Sequence, residues 1–163
     1  MFESFDEHAR RVLFFARWSV TQPGVEFDIL RTFDAVQQGA GAPTEKVAAE
    51  IDDVHLLLGV LQGDAGALTR FADPAWPKER LRERLRDLAP PGSGVSPAQE
   101  IPFSPAAKTT LLTVGARPRG KGRPIVPEHI VWAVLAKPST PVAALLAEAG
   151  VTRGAIEAFL DRP

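Results

Sequence analysis

The chain has no cysteine among its 163 residues. Disulfides, thiolate metal sites and cysteine nucleophiles are therefore excluded. Neither sign of charge is in excess: 19 Lys+Arg face 20 Asp+Glu, a formal net charge of -1. That balance gives no general reason to bind nucleic acid or an anionic membrane. No stretch approaches the roughly 20 apolar residues of a membrane-spanning helix. The opening "MFESFDEHARR" lacks the basic and then apolar regions of a secretory signal. Strand-like alternation of apolar and polar residues is missing too. The three histidines, His8, His55 and His129, show no H-E-x-x-H spacing and have no thiol partners, so no metal site is expected. No serine has G-x-S-x-G context, and no catalytic residue is assigned. What is present is 45% apolar residues, enough for a packed core in one domain or two small halves. We expect a cytoplasmic protein without a cofactor.

Helical periodicity fills most of the chain. In "SFDEHARRVLFFARWSV", Ala9, Val12, Leu13 and Ala16 fall at i, i+3, i+4 and i+7, a single apolar stripe. Ser4 and Glu7 have capping-box spacing, and Asp6 is a second candidate N-cap. "EFDILRTFDAVQQG" places Ile29, Phe33 and Val36 on one face, and Pro43 fits the first turn of "APTEKVAAEI". "DDVHLLLGVLQG" and "AGALTRF" read as a helix pair, and "PKERLRERLRDL" as an amphipathic helix with charges four apart. "APPGSGVSPAQE", residues 89–100, is a connector. Beyond it, Ser104 and Thr140 are N-caps followed by Pro105 and Pro141, Pro127 opens a third helix, and Gly150 is a C-terminal stop. The fold class is all-α, with about eight to ten helices expected from this spacing.

The second half resembles the first. "IDDVHLLLGVLQGDAGALTRF" at 51–71 is echoed by "IVPEHIVWAVLAKPSTPVAALL" at 125–146. His55 and His129 stand 74 residues apart, as do Leu61 and Leu135, while Phe5 and Phe103 stand 98 apart. The difference of 24 is extra length in the first half, roughly residues 21–44. A second register, aligning "VEFDIL" with "IVPEHI", stays open; the match that continues through "HLLLGVLQGDAGAL" favours the first. The units are then 1–88, with the insertion, and 101–163, together one compact domain.

Three ordered strings carry a family resemblance: "MFESFDEHARRVL", "IPFSPAAKTTL" and "VPEHIVWAVLA…PVAALLAEAGV". They resemble the N-terminal domain of Clp-type AAA+ unfoldases of the ClpC class, over nearly the whole chain. The resemblance implies two four-helix Clp repeats related by a pseudo-twofold axis, with a helical insertion in the first. It implies a non-enzymatic module that captures protein or peptide partners, such as Clp substrates, adaptors or the Clp ATPase, in protein quality control and regulated proteolysis. In the family a glutamate of each "TEH" grips the guanidinium of a phosphorylated arginine, and helix-start amides hold the phosphate. Glu128 stands at the second glutamate. Val54 stands at the first, beside Asp52 and Asp53. Asp53 and Pro127 occupy the threonine positions, where Asp53 repels phosphate and Pro127 lacks both N–H and hydroxyl. The resemblance also puts Phe2 near the apolar groove that accepts adaptors.

An ATPase is not expected. "GARPRGK", residues 115–121, has G-x-x-x-x-G-K spacing but is followed by Gly122 in place of the Ser or Thr that holds magnesium. The same loop carries Arg117, Arg119, Lys121 and Arg123, a candidate anion contact. Two alternatives stay open at this stage: an anion- or nucleic-acid-binding regulatory domain using this loop, and a fragment of a full Clp ATPase.

Overall fold

The computed structural model describes residues 2–21, 49–90, 100–119 and 122–162. The helix expected around Ile29, Phe33 and Val36, the 21–44 insertion beyond Thr21, the Pro43 turn, the centre of the 89–100 connector and Lys121 lie outside the described residues.

Among the described residues the chain is all-α: eight helices and two single-residue β-bridges. Helix α1 runs Glu7–Thr21. Its N-cap is Asp6, whose Oδ1 accepts from the Ala9 amide at 2.7 Å. Ser4, the other expected cap, is held outside the helix because its carbonyl accepts from the Ile125 amide at 2.7 Å. Ala9, Val12 and Ala16 are buried as their spacing requires. Of the adjacent Phe14 and Phe15, Phe14 turns outward and is 52% exposed.

Helix α2 (Asp53–Gly63) is followed by α3 (Gly66–Thr69), only one turn where "AGALTRF" suggested more. Helix α4 (Lys78–Leu88) buries only Leu81 and Leu85, one turn apart, and offers its charges to water. Helix α5 (Pro105–Ala116) is capped by Ser104, whose hydroxyl accepts from the Ala107 amide. Helix α6 (Pro127–Leu135), α7 (Pro141–Glu148) capped by Thr140, and α8 (Arg153–Leu160) capped by Thr152 complete the order. Gly150 ends the α7 segment at φ +80°, a conformation that glycine adopts without steric cost.

Helices α2 and α6 form the centre. Every residue from Asp53 to Leu61 is buried, and so is every residue from Pro127 to Val134. A helix apolar nearly all round must be covered on all sides. The other helices do this, and one continuous apolar cluster joins Leu56, Leu57 and Leu61 of α2 with Ile130, Val131 and Val134 of α6. Two β-bridges tie the segments that lead into these helices: Phe5 pairs with Ile125, and Ile51 with Phe103. Phe2 packs beside this seam, its ring 5.3 Å from Phe5 and 6.4 Å from Phe103. Among the described residues no helix is long and apolar enough to cross a membrane.

Candidate functional site

The expected recognition residues gather where α2 and α6 begin, and both helices begin in the same way. The Asp52 amide donates to His55 Nδ1 at 3.0 Å, and the Val126 amide donates to His129 Nδ1 at 3.1 Å. Each ring closes an otherwise unpartnered amide of a helix start. For His55, accepting at Nδ1 places the proton of the neutral ring on Nε2, whereas His129 Nδ1 also lies 3.3 Å from the Val126 carbonyl. Burial drives both histidines down from 6.5 to about 4, so both are neutral near pH 7. For His129, the Arg119 and Arg117 guanidiniums push the same way.

Asp52 and Asp53 do not share a pocket. Asp52 is the N-cap, in extended backbone, while Asp53 opens the helix, and each carboxylate finds its own partners. Asp52 Oδ1 accepts from the Asp53 amide at 2.9 Å and from the Ser104 hydroxyl at 2.8 Å. It thereby caps α2 and ties it to the start of α5. Asp53 is buried. Its Oδ1 accepts from Thr110 Oγ1 at 2.6 Å, and its Oδ2 is ion-paired with Lys137 Nζ. Lys137 also donates to Thr110 Oγ1 and to the Ala106 carbonyl. This closed cluster of α2, α5 and the second residue after α6 is structural. Lys137→Ala leaves the Asp53 charge buried with one hydroxyl, and we expect a loss of about 2 kcal/mol. Urea unfolding tests this, and a loss under about 0.5 kcal/mol, the size of an ordinary surface substitution, would show that the pair is not holding these elements together.

Glu128 lies inward at the start of α6, with only 4% of its surface exposed. Burial raises its pKa from 4.5 against the opposing pull of its backbone hydrogen bond and of Arg70. The Arg70 Nη1 lies 3.3 Å from its Oε1. Arg70 is placed by a 2.6 Å hydrogen bond from Nε to the Gly66 carbonyl and by the Phe159 ring, 4.9 Å from its guanidinium carbon. Neither Arg70 nor Lys137 stood out in the sequence. Each lies more than 50 residues from its carboxylate, and no periodicity signals such a pair.

Arg117, Arg119 and Arg123, in the segment after α5, each make specific contacts. Arg117 pairs with Asp161 at 2.7 Å and lies over the Trp132 ring at 4.6 Å; its side chain is only 11% exposed. Arg119 donates to the Val114 carbonyl at 3.3 Å, and Arg123 to the Arg162 carbonyl at 2.7 Å. Together with the end of α8 they border a cavity of about 450 Å³. The segment before this loop is the helix α5, so the strand that precedes a phosphate-binding P-loop is not there.

No protein-family model matches the chain, and no curated protein matches it either.

Proposed function

We propose that this chain is a non-enzymatic, cytoplasmic protein- or peptide-binding module of the Clp N-terminal kind, acting in protein quality control, and built from two copies of one four-helix unit. The observation that carries the reading is the reciprocity of the two bridges. Phe103 is Phe5 displaced by 98 residues, and Ile125 is Ile51 displaced by 74. Exchanging the copies therefore turns the Phe5–Ile125 bridge into Phe103–Ile51. The hydrogen bonds exchange as well. The Ile125 amide donates to the Ser4 carbonyl and its carbonyl accepts from the Asp6 amide. The Ile51 amide donates to the Pro102 carbonyl and its carbonyl accepts from the Ser104 amide. Asp6 and Ser104 each cap the helix that follows, and His55 and His129 each close their own helix start. Such agreement supports the first register, with the extra length in residues 21–44, and a pseudo-twofold pair.

In this reading the two copies have diverged in their chemistry. The first has Val54 in place of a recognition glutamate. The second keeps Glu128, and Arg70 already supplies it with a guanidinium. An arginine-phosphorylated peptide would compete with Arg70 for that carboxylate. Calorimetry with such a peptide tests the module. We expect one site in the wild type and binding about tenfold tighter in Arg70→Ala, where an unpaired buried carboxylate awaits a cation. Glu128→Ala should lose the site. No heat from any of the three proteins would remove peptide capture at Glu128, and ATP turnover by the purified chain would overturn the non-enzymatic reading.

A further inference from the structure

The geometry points to a second binding site, the cavity between the basic loop and the end of α8, for a phosphomonoester carried on a small apolar body. It stands apart from Glu128, which does not line this cavity, and it does not depend on the peptide-binding reading.

Four arginines line the space, Arg117, Arg119, Arg123 and Arg162, against one acidic residue, Asp161. That carboxylate is taken by Arg117. Among the described residues, Arg119, Arg123 and Arg162 have no carboxylate at ion-pair distance. Arg119 and Arg123 each use one N–H on a backbone carbonyl, which fixes the side chain in place. A guanidinium has five N–H donors in a rigid fork, so most of them remain for an anion. Three uncompensated cations around one cavity are out of proportion in a chain whose net charge is -1. Solvated surface charges are ordinarily interspersed in sign.

His129 completes the polar side. The residue is part of the lining, and its Nδ1 accepts from the Val126 amide. The remaining lining is apolar: Val126, Phe159, Leu160 and two prolines, Pro118 and Pro124. A hydrated inorganic ion has no use for that surface. An organic phosphate does, because guanidinium forks match phosphate oxygens while the apolar floor takes the carbon body. The volume falls within the range of small-ligand pockets. A nucleic acid strand needs a track of cations that follows successive phosphates, and these arginines lie around a single cavity.

The test is calorimetry on the full chain with phenyl phosphate and inorganic phosphate. A phosphoserine peptide, its unphosphorylated form and a single-stranded oligonucleotide complete the set. We expect phenyl phosphate to bind one site about tenfold more tightly than inorganic phosphate. Arg123→Gln combined with Arg162→Gln, both exposed positions, should weaken it by about tenfold or more. The variant with Lys at both positions keeps the charge and loses the fork, so it should fall between. A phosphoserine peptide that binds more tightly than phenyl phosphate identifies a modified protein as the source of the group. Equal or weaker binding of the peptide identifies a free metabolite, and either result supports the phosphomonoester site. No saturable binding of phenyl phosphate up to about 10 mM overturns it, as does equal binding by wild type and the double Gln variant. Tight oligonucleotide binding with steep salt dependence and no response to phenyl phosphate overturns it in favour of nucleic acid.

Discussion

Lowering the pH from 7 to 4 will destabilise this protein by several kcal/mol, and His55 and His129 will cause most of the loss. Each has an unfolded pKa of 6.5 and a folded pKa of about 4. Above pH 6.5 both states hold the rings neutral, and stability is at its full value. Between pH 6.5 and 4 the unfolded chain binds a proton that the folded chain refuses, so stability falls as the pH falls. Below about 4 both states are protonated and this loss stops growing. Each tenfold drop in a ring's proton affinity on folding is worth about 1.4 kcal/mol, which makes each histidine responsible for about 3 kcal/mol across that window. Their burial justifies carrying this difference into stability: they are 4% and 6% exposed. Glu128 works in the opposite direction, because its raised pKa makes the folded chain take up a proton first as the pH falls; it offsets part of the loss. Urea unfolding at pH 7 and pH 4.5 measures the effect. His55→Gln with His129→Gln is the informative variant, since glutamine at the third helical position can still accept from the N-cap amide but does not titrate. The double variant should lose far less stability between the two pH values than the wild type. An equal loss in both proteins would place the acid sensitivity elsewhere.

Much of the fold was legible in the sequence because its signals are local. An N-cap and the amide three residues on lie in one short string, so Ser104 and Thr140 were readable as caps. Pro105, Pro127 and Pro141 mark first turns in the same way. The start of α1 was less clear because Ser4 and Asp6 both qualify. The choice is made by a residue 121 positions away, Ile125, whose amide draws the Ser4 carbonyl out of the helix. The site followed the same division. The run of Arg117, Arg119 and Arg123 is visible as a run, but Arg162 and Asp161 reach the same cavity from the far end of the chain. Asp52 and Asp53 look like an acidic pair in sequence. The helix boundary falls between them, and Ser104, Thr110 and Lys137 decide what each one does. Contacts of this kind depend on packing between elements, which periodicity does not encode.

Gly59→Ala should be among the most damaging single substitutions in the chain, although alanine is the better helix former. Gly59 sits in the middle of α2 where it crosses α1. A Cβ built there lies 2.3 Å from the Val12 carbonyl oxygen and 2.8 Å from the Ala16 amide nitrogen. Both are backbone atoms of α1, so no side chain can rotate away to make room. Ala9, Val12 and Ala16 are all fully buried on the facing stripe, which shows how closely the two backbones approach. Replacing glycine by alanine in a helix interior ordinarily gains about 1 kcal/mol. Here the helices must separate, which opens space around Leu56 and Val60 as well as relieving the clash, and a net loss of about 3 kcal/mol is expected. Gly115→Ala supplies the contrast. It lies in α5, and nothing approaches within 4 Å of a Cβ there. It should be neutral or stabilising by about 0.5 kcal/mol. Opposite signs for one chemical change would locate the effect in the α1–α2 crossing rather than in helix propensity. If Gly59→Ala unfolds within about 0.5 kcal/mol of the wild type, as a surface change would, the two helices do not pack this closely.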